Sequence, residues 1–515
     1  MKRTFFFLPL WLMAFSSCAP QPSRNDIMKA MKEATAYMMD SVSVNGGFVW
    51  NVTADGQRRW GEMEAYPTMI WLQAPATPEV GETLLEAFQL TGDDFYYRQA
   101  RRVADAVMDA QLPCGGWNYL YDYAGEESTR QWYATIGRSA WRLEEFQHYY
   151  GNATFDDAVS TSCAGFLLRC WLAGKDAEVK SALDKAIAFV LESQYENGGW
   201  PQRYPLMYDH PFRGRADYTS FVTLNDDVVP DCIAFLESCR EASAMDGLDE
   251  PIDRARKLMV KLQQPAPLAG WADQYTPADL KPAHARSYEP RSVNTGTTVR
   301  TINLLLEYYR KTGDTTFLEG IPAALDFLES MRLPDDQVAV WGRPARDSGA
   351  FLVPRFIDPD TGRPLYVHRV GSNVYNGYYY CDESLEGTIG HYSSATYVNT
   401  DRLRQRYEEA VSRVDAPLAQ AVQHRWPEPT VKEVLRSLEG GRWMSPLSNT
   451  SNPWTACDGD GSGSDETAYR STNVGDRFDT SPYTCPADSS GQVPECISTR
   501  TYLINMRVLM NALEK

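Results

Sequence analysis

Histidine is scarce in this chain, with six residues in 515. That removes the usual general base and a common metal ligand from most of the molecule, and no Cys/His spacing matches a zinc site. Positive charge is in deficit as well. The 50 Lys and Arg are outnumbered by 68 Asp and Glu, for a net charge of −18. A nucleic-acid binder would carry a basic footprint, so that class is excluded. An acidic ligand would need a locally basic cleft or a bridging cation. Apolar runs long enough to span a bilayer are missing, and neither low complexity nor disorder dominates.

Near the start, Lys2 and Arg3 precede an apolar run from Phe5 to Phe15, then small residues and Cys18. The run reads as a signal peptide over 1–17, with Phe15-Ser16-Ser17-Cys18 close to a bacterial lipobox. The expectation is an exported chain, anchored to the bacterial envelope through a lipidated Cys18 and a linker over 18–26. Plain secretion, or a periplasmic protein, is the alternative. Cys163/Cys170 and Cys232/Cys239 fall on helical stretches and read as buried small hydrophobes. Among Cys457, Cys485 and Cys496, one disulfide is expected, with its pairing open.

The rest repeats loosely. Leu90-Thr91-Gly92-Asp93, a helix, then Gly115-Gly116-Trp117 is one form; Leu172-Ala173-Gly174-Lys175, a helix, then Gly198-Gly199-Trp200 is another. Lys311-Thr312-Gly313-Asp314, a helix, then Trp341-Gly342 reads as a third, and Asn45-Gly46-Gly47-Phe48 as a relic. Each unit pairs a mostly apolar helix with an amphipathic one, separated by a glycine that takes the left-handed position. The pattern predicts an all-α toroid, an (α/α)₃-like incomplete barrel, as one domain over 27–515. Small β insertions are expected at 351–381, and a loop-rich segment at 440–497. Asp458 to Asp465 alternates oxygens as a calcium loop would, but Tyr469 falls where an EF-hand needs its bidentate acid, so it reads as an acidic surface loop.

Four segments could carry chemistry. Asp156-Asp157 and Asn225-Asp226-Asp227 place paired carboxylates at the starts of two apolar helices. Helix capping is the ordinary role of such residues. In a toroid, however, those helix starts gather at one rim, where two acidic pairs would repel unless a cation such as Ca²⁺ lay between them. Arg286, Arg355 and Arg369 could be surface ion pairs or forks for carboxylates.

The run Tyr195-Glu196-Asn197-Gly198-Gly199-Trp200-Pro201-Gln202-Arg203-Tyr204-Pro205, then Thr223-Leu224-Asn225-Asp226-Asp227, resembles a signature of family 10 pectate lyases. Ala283 to Glu289, Phe155-Asp156-Asp157-Ala158, Val353-Pro354-Arg355-Phe356 and Gly362 to Tyr366 are similar to others of that family, in the same order over about residues 90 to 392. The resemblance implies an (α/α)₃ toroid that cleaves α-1,4-linked polygalacturonate by calcium-assisted β-elimination, giving 4,5-unsaturated products. It implies Ca²⁺ held by Asp156 and the Asp226-Asp227 pair, and Arg286 as the base that takes the C5 proton. Arg355, Arg369, Trp200 and Asn225 would contact substrate. An arginine base is unusual, and neighbouring cations would favour its neutral form; His284 is the outside candidate. Departures include Arg203 where the family has Phe, and Trp271-Ala272-Asp273-Gln274-Tyr275-Thr276 for "WCAQHD".

Two competing readings remain at this level. A glycoside hydrolase could use Asp156 and Asp226 as its two carboxylates. A non-catalytic surface protein could bind glycan in the same cleft. The partner expected is an acidic polysaccharide, the membrane is reached only through the lipid anchor, and a monomer is expected.

Overall fold

Glycine turns and aspartate caps cut the chain into helix pairs. A computed structural model describes residues 22–137, 144–206, 216–370, 378–389, 393–412, 428–447 and 495–514. The signal peptide, Cys18, Cys457, Cys485 and the Asp458–Asp465 loop lie outside the described residues. The helices are α1 (Arg24–Tyr37), α2 (Thr77–Thr91), α3 (Asp94–Asp109), α4 (Glu126–Thr135), α5 (Val159–Gly174), α6 (Ala177–Glu192) and α7 (Val228–Glu241). They continue with α8 (Asp249–Lys261), α9 (Thr295–Thr312), α10 (Ile321–Ser330), α11 (Asp335–Trp341), α12 (Thr400–Ser412), α13 (Val431–Ser437) and α14 (Thr499–Leu513). Among these described residues, no helix is long and apolar enough to cross a membrane.

Inner helices α14, α2, α5 and α7 pack in succession, and outer helices α1, α3, α6 and α8 each back one of them. The α9/α10 pair continues the ring, with α12 against both. Inner helices are apolar on most sides: α5 buries Val159, Cys163, Phe166, Leu167 and Cys170. Each large apolar side chain buried this way contributes about 1.5–3 kcal/mol. The ring is drawn together where its first and last described helices meet. Strand Asn51–Thr53 pairs antiparallel with strand Glu495–Ser498, and α1 packs on α14. This is the α/α toroid with small sheets that the repeats predict, and short strands fall within 351–381 as expected.

The repeated loops share one construction. The indoles of Trp117, Trp200 and Trp271 donate to the carbonyls of Val107, Val190 and Met259, each at 2.7 Å. The backbone carbonyls of the same three tryptophans accept from Thr154, Thr223 and Asn294, just before the next inner helix. Gly115 and Gly198 have φ of 99° and 101°, and a Cβ there would come within 2.3–2.7 Å of a backbone oxygen in the neighbouring outer helix. Trp271 therefore takes the third loop position that Trp341 was expected to fill. Trp341 instead ends the short α11. The turn after α5 also differs, because Lys175 rather than Gly174 adopts the left-handed conformation. Gly174 is needed for space, since a Cβ there would overlap the Tyr97 hydroxyl.

Cys163, Cys170, Cys232 and Cys239 are free and fully buried, as expected of small hydrophobes. Cys496 is also a buried free thiol, so the expected tail disulfide does not include it.

Candidate active site

Two turns with the same unusual backbone precede α5 and α7. Asp157 and Ala158 have φ of 49° and 57°, and Asp226 and Asp227 have 47° and 56°. Two successive left-handed residues that are not glycine cost about 1–2 kcal/mol each, and such strain tends to persist where a site needs it. Neither turn supplies a side-chain cap to its helix. Outer helices do use their aspartates as caps: Asp93 accepts from Phe95 N–H and Asp176 from Glu178 N–H. The capping role is thus filled at the outer helices and unfilled at the acidic turns, which pack against each other.

The turns are held from behind by the next repeat. Phe155 N–H donates to the Gln202 carbonyl, and Leu224 and Asn225 N–H both donate to that of Asp273. The Asp273 carboxylate is itself fixed by Asn294 (2.6 Å) and Thr297. Matching backbone angles make Asp157, rather than Asp156, the counterpart of Asp226. Asp156 lies deeper and is buried. One of its oxygens accepts from Tyr119 O–H at 2.5 Å, while the other is buried without a hydrogen-bond partner. Asp157 accepts from Gln73 at 2.6 Å, and the same amide reaches Glu62 at 2.8 Å.

Arg286 stands among carboxylates. Its guanidinium pairs with Glu289 through Nε (2.9 Å) and Nη2 (3.0 Å), and lies 3.3 Å from Glu145 and 3.6 Å from Asp226. Its own N–H also donates to Glu289, and Ser287 N–H donates to Glu144, so the 3₁₀ turn Glu144–Phe146 grips the arginine loop. Burial alone would raise the Glu289 carboxyl, but Arg286 outweighs it and holds it below its ordinary value. Burial, with Arg286 opposing and Glu62 and Asp156 reinforcing, pushes Glu145 up to about 8. Asp226 is raised well above the carboxylate range by burial and then by Asp156 and Asp157. Asp157 is exposed at the rim, so the push up to about 7 from the surrounding protein, Asp156 and Glu62 is tempered by solvent.

The other expected residues divide. Asn225 is buried and donates to Asp226 at 2.7 Å. Asp227 is turned to Arg300 at 3.3 Å, which separates it from Asp226. Arg355 bridges two repeats through its backbone, accepting from Thr295 and donating to Ser394, and its charge helps lower Glu289. Arg369 is buried opposite Tyr379, whose ring meets Tyr288 at 5.4 Å, and Tyr288 lies 5.5 Å from Arg286. Trp200 is corrected: it is fully buried as the wedge of its loop and cannot reach a ligand. His284 bonds the Ala216 carbonyl through its ring and sets an edge on Phe221. Glu145, Glu62, Gln73 and Tyr119 were missed, because none belongs to a spaced motif. Glu289 ended a quoted motif without being given a role.

The pectic acid lyase family model matches residues 122–390, just over half of the chain. The chain belongs to the pectic acid lyase family. The match contains both acidic turns, Glu145, Arg286, Glu289, Arg355 and Arg369, while Glu62 and Gln73 precede it. Similar solved structures include a family 10 polysaccharide lyase from Cellvibrio cellulosa, 18% identical with a TM-score of 0.39, covering 56% of this chain and 84% of that one. A mutant of that enzyme in complex with trigalacturonic acid is 17% identical with a TM-score of 0.43, covering 65% and 98%. An α-1,6-mannanase from Salegentibacter sp. HEL1_6 is 12% identical with a TM-score of 0.32, covering 61% and 71%. No curated protein matches the chain. Family membership makes the protein a polysaccharide lyase, which sets aside the hydrolase and binding-only readings.

Hard carboxylate oxygens, one of them orphaned on Asp156, suit calcium in kind. In the present packing they are spread out: no group of three or more His, Cys, Asp or Glu among the described residues is arranged as a metal site.

Proposed function

We propose that this pectic acid lyase family member cleaves polygalacturonate by calcium-assisted β-elimination, with Arg286 as the base. The observation that carries the reading is the pair of strained acidic turns, neither used for capping, that face one buried arginine. Asp157 and Asp226, with Asp156 behind them, are the residues that would hold Ca²⁺. When bound, the ion would pair with a substrate carboxylate and draw off the charge that develops at C5.

The chain's own groups account for the rest. Glu289 and the Glu144–Phe146 turn fix Arg286 in one orientation. Arg286 must be neutral to accept a proton, a state that a calcium ion and Arg355 nearby would favour and that Glu289, which Arg286 keeps ionised, opposes. Glu145 and Asp226 are its two looser partners: burial favours the protonated form of Glu145, and Asp226 would be engaged by the ion. Arg286 then takes the proton from C5, the C–H electrons form the C4=C5 double bond, and the C4–O bond breaks. The departing oxygen takes a proton from solvent. Arg355 and Arg369 supply guanidinium forks for neighbouring carboxylates of the polymer. We further propose that the chain is exported and tethered through Cys18, which would place it where polymer is met.

Incubation of the soluble chain starting after Cys18 with de-esterified polygalacturonate tests this. Products absorbing in the ultraviolet as 4,5-unsaturated uronates are expected. New reducing ends without that absorbance would show hydrolysis and overturn the proposal.

A further inference from the structure

Trp341 belongs to no repeated loop and to no part of the active site, yet it lines a cavity of about 730 Å³ with Arg343, Arg346, Thr396, Tyr397 and Asn399. That volume lies in the range of small-ligand sites. The Arg343 guanidinium lies 4.8 Å over the Trp341 ring and makes no ion pair among the described residues. Asp347 is the one acid in the described wall, and it is already engaged by Asn399 at 3.0 Å and Arg402 at 3.3 Å. Tyr397 O–H donates to the Arg343 carbonyl at 2.6 Å, tying the two sides together. A chain of net charge −18 thus carries a wall with two arginines, an indole and a phenol. An indole offers a face to a pyranose ring, and a guanidinium offers a fork to a carboxylate. Together they fit an anionic sugar.

Location adds to the case. Strand Phe351–Pro354 pairs with Ala395–Val398, so Tyr397 sits opposite Leu352. Arg355 follows that strand, and its backbone N–H donates to the Ser394 carbonyl at 2.9 Å. Three residue steps lead from Leu352 to Arg355, about 10 Å at about 3.3 Å each. A short run of sugars bridges that gap. We propose that this cavity is a distal subsite that binds a uronate of the same polysaccharide chain whose scissile bond lies at Arg286. The proposal rests on the lyase reading above.

The test compares wild type with Arg343→Ala/Arg346→Ala and with Trp341→Ala, on long polygalacturonate and on trigalacturonate, whose three sugars would be taken up at the scissile bond and at Arg355. The expected result is a KM for the polymer raised about 10-fold, from the loss of one or two charge-assisted hydrogen bonds, with kcat unchanged and trimer kinetics unaffected. An unchanged polymer KM, or equal losses on both substrates, overturns it. Electrophoresis through gels containing polygalacturonate, with chelator present to stop turnover, separates this from failure of the lyase reading. Retardation of the wild type that is lost in the Arg343→Ala/Arg346→Ala variant supports the subsite even if no unsaturated product forms. Equal retardation of folded wild type and variant, each measured against its own migration without polymer, overturns it.

Discussion

Replacing Glu145 by Gln isolates one buried proton. Glu145 is buried, one oxygen lies 3.3 Å from Arg286, and the other is buried with no hydrogen-bond partner. Burial, together with Glu62 and Asp156, lifts its carboxyl from 4.5 to about 8 despite Arg286. A carboxyl raised in the folded state keeps a proton that the unfolded chain gives up, so its contribution is full below the unfolded value and is lost as pH climbs through the folded one. Each pH unit in that window costs about 1.4 kcal/mol. Between pH 5 and pH 8 the wild type should therefore lose at most about 4 kcal/mol through this group. Gln has nothing to titrate and keeps the shape of the neutral acid. Urea unfolding of calcium-free wild type and Glu145→Gln at both pH values gives the comparison. The variant should gain on the wild type by about 2–4 kcal/mol on going from pH 5 to pH 8. Parallel losses in the two proteins would refute the placement of a buried, proton-holding acid beside Arg286.

Asp157→Gly should stabilise the calcium-free protein by about 1 kcal/mol, because it relieves one left-handed residue; a lower melting temperature would contradict this. Calcium at about 100 times its dissociation constant should stabilise the wild type by about 2.7 kcal/mol and Asp226→Asn far less, read by thermal denaturation with and without chelator. Trp200→Ala should cost about 3–5 kcal/mol in urea unfolding, as expected for emptying a buried indole site. The same variant should leave the product pattern of the folded fraction unchanged.

Much of the fold was legible because its signals are local. Gly92-Asp93 and Gly313-Asp314 turn the chain and cap the next element within four residues. The Gly-Gly-Trp loops mark where one unit ends. Trp341 misled because spacing from a glycine turn cannot tell a buried wedge from a tryptophan that ends a short exposed helix. The acidic turns were visible as motifs, but their backbone was not. Only the geometry shows that Asp157 is the partner of Asp226, with Asp156 behind. Glu145 was illegible for a different reason. It meets Arg286 across 141 residues of sequence, and no spacing rule encodes such a contact. Trp200 sits in the strongest motif of the chain, which serves packing at that position rather than binding.

The most direct test of the central claim is the initial rate of ultraviolet-absorbing product from polygalacturonate, measured for wild type and Arg286→Ala with calcium and with excess chelator. Circular dichroism first establishes that the variant is folded. The account predicts a rate that is present only for wild type with calcium, and a loss of at least about 10³-fold in Arg286→Ala, the scale on which losing a catalytic group is felt. A folded Arg286→Ala that keeps its rate, or a wild-type rate indifferent to chelator, would contradict it.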